Sequence, residues 1–121
     1  MSRESVLREH GERTVDELDF IVQTLDELQA VVDRGKDAPV SDVLLQRAVE
    51  GCVNRIGDTI RNKIPSAVQE QYRGSRYWSE WVDWRVMLTH HYHRLDVNTL
   101  WIDLTQDVPE FRRLLVEHIL S

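Results

Sequence analysis

Arg85, His90 and Tyr92 fall close together in the stretch Arg85-Val86-Met87-Leu88-Thr89-His90-His91-Tyr92, and side chains of these types can handle a phosphate group and a proton. A guanidinium grips phosphate oxygens through a planar fork of donors, and an imidazole has the side-chain pKa nearest neutrality. These are the minimal parts for cleaving RNA without a metal. The Arg would stabilise charge building on the phosphoryl oxygens, while the His moves a proton on or off the 2′-hydroxyl or the leaving oxygen.

The surroundings of these residues are unlike the rest of the chain. Its 121 residues carry a net charge of −6, which argues against a protein that coats nucleic acid by electrostatics alone. Residues 73–94 nevertheless hold Arg73, Arg76, Arg85 and Arg94 against Glu80 and Asp83, a local balance of +2 that leaves −8 for the remainder. The same window contains His90, His91 and His93 and also Trp78, Trp81 and Trp84. That is a site-like concentration.

His90, His91, His93 and Asp96 raise the question of a metal, but no H-E-x-x-H pattern or Cys partner accompanies them, so no metal is expected. The Trp series suits core or dimer packing better than a base-stacking platform, because spacing of three winds the rings over only part of a helix. Arg73 and Arg76 read as solvated loop charges, and Gly57 as a close-packing point between helices. The lone Cys52 cannot form an internal disulfide and falls within an apolar helical pattern.

The elements that must position these groups are all helical. With 41% apolar and 30% charged residues the chain is expected to form one folded domain over 1–121, and it contains no spanning-length apolar run. Its start, Met1-Ser2-Arg3-Glu4-Ser5, lacks the apolar region of a signal peptide, so a cytoplasmic location is expected. Leu18, Ile21, Val22, Leu25, Leu28 and Val32 recur at helical spacing in a first long helix over residues 3–33, which Gly35-Lys36-Asp37-Ala38-Pro39 should end. Ser41 or Asp42 can cap a second helix with the stripe Leu45, Ala48, Val49, Cys52, Ile56 and Ile60. Pro65 marks a break or a new first turn, and residues 69–76 read as a loop.

A third helix beginning between Ser75 and Ser79 puts Trp78, Trp81, Arg85, Leu88 and Tyr92 on one stripe. His90 lies about 140° round that helix from Arg85, so a straight helix does not aim both at one phosphate. A helix end loosened around His91 to Leu95, or a second chain completing the cleft, would remedy this; both together are expected. Asp96 can cap a short helix through Leu100, Trp101 and Leu104. Asp107-Val108-Pro109-Glu110 then reads as a capping box opening a last helix, with Phe111, Leu114, Leu115, Ile119 and His118 on its buried side. Four or five helices joined by short loops predict an antiparallel bundle.

Taken in order, Trp78, Arg85, His90, Tyr92, Asp96-Val97, Trp101 and Asp107-Val108-Pro109-Glu110, with Arg55-Ile56-Gly57-Asp58 upstream, resemble the HepT group of HEPN ribonuclease toxins over essentially the whole chain. The resemblance implies a homodimeric all-α, HEPN-like toxin of a type VII-like toxin–antitoxin module. Its substrate would be RNA, with tRNA among the targets, and its partner a minimal nucleotidyltransferase antitoxin. It further implies that Arg85 is the phosphate clamp and His90 the acid or base, with neither metal nor cofactor. Tyr92 would accept AMP, transferred from ATP by the partner to silence the toxin. Asp58 is the acidic neighbour that would orient Arg85.

The chain departs from the family pattern at one point: Val86 stands where a polar residue, most often Asn, usually follows the Arg. Positions 86 and 90 are four apart on a helix, where an Asn could hydrogen-bond the His and a Val cannot. Thr89, or a group from a second chain, is the available substitute. A second reading therefore stands beside the first, in which the chain is a catalytically inactive helical dimer that serves as a nucleotidyltransferase-binding module.

Overall fold

The computed structural model describes residues 1–35, 43–90 and 97–121, with backbone alone at Ser75, Thr89, His90, Val97 and Asn98. The expected caps at Ser41, Asp42 and Asp96 lie outside the described residues. Within them the chain forms six helices and a terminal π-helical segment, with no strand: α1 (Arg3–His10), α2 (Glu12–Gly35), α3 (Val43–Lys63), α4 (Ser66–Gln71), α5 (Gly74–His90), α6 (Val97–Arg113) and the π-helical Leu114–Ile119. The all-α expectation holds. The long helices α2, α3, α5 and α6 make the bundle.

The helix expected over residues 3–33 is two helices. Gly11 adopts φ 91°, a region L side chains rarely enter, and its N–H closes α1 on the Leu7 carbonyl at 3.0 Å. The chain then folds back so that α1 packs on α2, with Val6 fully buried and Arg3 paired to Asp19 at 2.8 Å.

In α2 the apolar stripe Leu18, Ile21, Leu25, Leu28 and Val32 is buried as the periodicity requires. Buried Thr24 and Thr59 return their hydroxyls to the carbonyls four residues earlier, at 2.8 and 2.7 Å, so neither carries an unmet polar group into the core.

Around the bundle, α3 packs between α2 and α5, while α6 packs on the other flank of α2. Short connectors join the long helices, and neighbouring long helices are antiparallel. The α2–α6 pair shows this directly: Gly35 lies against the Trp101 ring near one end, and Asp26 meets Arg112 at 2.5 Å further along.

Aromatic side chains join α5 to α6. Phe111, fully buried, meets Trp78 edge-on at 5.2 Å between centroids, Trp81 in a stack at 5.3 Å, and Tyr77 edge-on at 5.8 Å.

Two further boundaries differ from the sequence reading. Residues 69–76 are mostly helical, leaving only Tyr72 and Arg73 between α4 and α5. Pro65 does sit at the start of α4. Downstream, α6 runs unbroken through Pro109, so Asp107 lies inside a helix and caps nothing. Proline there removes one hydrogen bond, at a cost of about 3 kcal/mol in a helix interior. Burial of Leu104, Val108 and Phe111 on one continuous face opposes that cost.

Beyond Arg113 the register widens, with the Leu120 N–H bonding the Leu115 carbonyl at 2.8 Å. Apolar pairs five apart explain it. Leu114 with Ile119, and Leu115 with Leu120, would diverge by about 140° on an α-helix, but an i to i+5 register stacks them, and all four are buried. His118, expected on the buried side, is exposed.

Candidate functional site

Arg85 lies on α5 one turn beyond Trp81, and its half-buried side chain crosses α3 where that helix carries Gly57. A Cβ built on Gly57 would sit 3.1 Å from the Arg85 Cβ, 3.2 Å from its Cδ and 3.2 Å from the Trp81 carbonyl oxygen. Contact at that range is tighter than ordinary van der Waals packing, so glycine lets the two helix backbones approach closer than a methyl at position 57 would. Gly57 therefore sets the depth at which the Arg85 stem rests on α3.

The Arg85 guanidinium has no hydrogen-bond or ion-pair partner among the described residues. Asp58, next to Gly57, is exposed, and its carboxylate accepts from the Asn62 amide at 2.8 Å. Asp58 and Arg85 are thus brought into one neighbourhood without an ion pair between them.

The helix α5 stays α-helical through His90, which keeps the backbone positions of Arg85 and His90 about 140° apart. The segment where loosening was expected, with His91 and Tyr92, lies outside the described residues, as do the side chains of Thr89 and His90. Beside Arg85, Val86 and Met87 are 41% and 42% exposed, giving the site an apolar margin.

Trp78 and Trp81 are buried in the aromatic seam and Trp84 is half-buried against Trp81 at 5.1 Å. The Trp78 indole N–H donates to the Tyr72 carbonyl at 2.9 Å, which satisfies its one polar atom. Buried against Phe111, the first two rings hold α5 in place and offer nucleobases no platform.

Three residues carry more than their sequence context suggested. Arg73, read as a solvated loop charge, pairs with Glu110 at 2.7 Å and lies 5.3 Å over the Tyr77 ring. Tyr77 is pushed up to about 12, first by burial and then by the neighbouring Glu110 carboxylate. Asp107 also rises from the usual carboxylate value, first through burial and then through Asp103, Glu110 and Glu80. A reader of the sequence could find these only by knowing that α6 continues through Pro109.

No cluster of three His, Cys, Asp or Glu side chains among the described residues could hold a metal ion. No helix among them is long and apolar enough to cross a membrane. No curated protein and no solved structure matches the chain. A protein-family model does: the one described as ribonuclease HepT-like aligns with residues 21–118, from the α2 stripe through Gly57, Arg85 and His90 to the π-helical segment. With most of its length matched, and with the all-α bundle that the family requires, the chain belongs to the HepT-like ribonuclease family.

Proposed function

We propose that this protein is a metal-independent endoribonuclease, with Arg85 as the phosphate clamp and His90 as the proton carrier. The observation that carries the reading is the Arg85 side chain, without a polar partner among the described residues and held on Gly57 in a chain of this ribonuclease family. When the 2′-oxygen attacks phosphorus and the 5′-oxygen leaves, negative charge grows on the non-bridging oxygens. A planar, permanently cationic fork meets it best. The imidazole takes the 2′-hydroxyl proton or delivers one to the leaving oxygen.

The angular offset between Arg85 and His90 favours a cleft completed by a second copy of the chain. Exposed Val86 and Met87, with Leu44 at 81% exposure and Ile102 at 59%, offer apolar surface for a homodimer. In this reading the substrate is tRNA and the biological role that of a toxin in a type VII-like module. The partner is a minimal nucleotidyltransferase antitoxin that places AMP on Tyr92 from ATP. An AMP on Tyr92, seven residues along the chain from Arg85, would bring negative charge toward the phosphate clamp.

Purified protein incubated with total tRNA in EDTA should yield discrete fragments. Arg85→Ala and His90→Ala proteins that cut as well as the native chain would remove the site assignment. On co-expression with the nucleotidyltransferase, intact mass should rise by whole AMP units, and Tyr92→Phe should abolish the increase.

The second reading, an inactive nucleotidyltransferase-binding module, has its own supporting observation. Val86 presents an exposed apolar side chain where a polar group would orient His90. Cleavage that begins only after Val86→Asn would establish this second reading for the native chain.

A further inference from the structure

The turn between α4 and α5 and the π-helical segment meet at a cleft of about 250 Å³, lined by Tyr72, Arg73, Glu110, Arg113, Leu114 and His118. Two departures from regular backbone build it. Arg73 sits at φ 61°, the one non-glycine residue with positive φ among the described residues. That conformation is strained for an L residue and persists only where the surroundings over-determine it. Here they do: Glu110 pairs with the Arg73 guanidinium, Tyr77 lies beneath it, and the Tyr72 carbonyl is fixed by the Trp78 indole.

The second departure is the widened register after Arg113. On an α-helix Arg113 and His118 would point about 140° apart, whereas five-residue spacing is close to one turn of a π-helix. The π-register therefore brings both side chains to the same cleft. Tyr72 locks the arrangement by donating its hydroxyl to the His118 carbonyl.

The charges then select the ligand. Glu110, the only carboxylate in the lining, is bonded through one oxygen to Arg73, so the two guanidiniums, Arg73 and Arg113, leave the lining with a net positive charge. Arg113 has no hydrogen-bond or ion-pair partner among the described residues, and it faces the cleft beside an imidazole. A guanidinium with open donors, a second one held rigid and a nearby His match the oxygens of a phosphate. The volume is below that of a drug-sized pocket and suits a phosphate with its nearest attached atoms.

We propose that this cleft is an anion site for a phosphate group, supplied either by a phosphodiester of the RNA strand engaged at Arg85 or by free phosphate. It is separate from the Arg85 site, since Arg73 precedes the first residue of α5, Gly74, and Arg85 lies about 16 Å further along that helix. The RNA source rests on the ribonuclease reading; the phosphate chemistry does not.

Inorganic phosphate is titrated into ¹⁵N-labelled protein at low ionic strength while backbone amides are followed. Saturable shifts at Arg73, Gly74 and residues 113–118 are expected. Arg113→Gln should weaken them about tenfold, the loss of one charge-assisted hydrogen bond. His118→Gln provides a second variant, and thermal melts confirm that both exposed substitutions leave the fold intact. A short single-stranded RNA added to a His90→Ala protein separates the two sources: shifts at the same amides, lost in Arg113→Gln, assign the site to the RNA strand, and shifts with inorganic phosphate alone assign it to the free anion.

Amides of the cleft that stay fixed with both probes, or that respond equally in Arg113→Gln, overturn the proposal. Fixed amides in a protein that cuts tRNA refute the cleft alone. Phosphate shifts in a protein that cuts nothing refute the ribonuclease reading alone.

Discussion

Replacing Gly57 with Ala tests whether the approach of α3 to α5 positions Arg85. In an open helix the change stabilises by about 1 kcal/mol, because glycine has the poorer helix propensity. The added methyl would lie 3.1 Å from the Arg85 Cβ and 3.2 Å from the Trp81 carbonyl oxygen, where ordinary carbon contacts are about 3.5–4.0 Å. Both atoms are fixed to the α5 backbone, so no rotation of the Arg85 side chain relieves the contact. The helix itself must move by a few tenths of an ångström, and overpacking of this kind costs about 1–3 kcal/mol. The net effect should be a loss of about 0–2 kcal/mol, read as a lower midpoint in urea.

Gly51, on the same helix, has nothing within 4 Å of its added Cβ, so Gly51→Ala should gain about 1 kcal/mol. Cleavage should also separate the pair. A 1 Å misplacement can cost about a hundredfold in rate, so a smaller shift of the Arg85 stem should lower tRNA cleavage several-fold in Gly57→Ala and leave Gly51→Ala unchanged. Equal stabilisation by both substitutions would refute the idea that Gly57 sets the helix separation.

Three further outcomes follow from other parts of the fold. Gly11→Ala should destabilise by about 1–3 kcal/mol although its Cβ meets nothing within 4 Å, since the strain is in the backbone at φ 91°; thermal denaturation measures it. Phe111→Ala should cost about 3–5 kcal/mol by opening the seam that joins Trp78 and Trp81 to α6, with a matching change in tryptophan emission. Asp107 has a raised folded-state pKa, so its contribution favours the fold below the ordinary value of 3.8 and is lost as pH rises through the raised value. Asp107→Asn should accordingly raise the melting temperature at neutral pH, with the gain disappearing below about pH 4.

Much of the bundle was legible because apolar spacing is a local property. The stripe Leu18, Ile21, Leu25, Leu28 and Val32 shows its buried face without reference to any partner, and so does Val49, Cys52, Ile56 and Ile60. Gly57 was readable as a packing point, and family membership followed from an ordered set of residues along the chain.

The sequence determined the helical class, the core stripes and the identities of Arg85, His90 and Tyr92. Tertiary structure decided where helices end and which side chains share a space. Gly11 breaks a helix because of a backbone angle that residue type permits but does not impose. Pro109 fails to start one because burial of Leu104, Val108 and Phe111 outweighs a missing hydrogen bond. The cleft joining Arg73 to Arg113 and His118 depends on an α4–α5 turn and a π-register set by contacts across the bundle, and pairings across 40 or more residues leave no periodic trace in the chain.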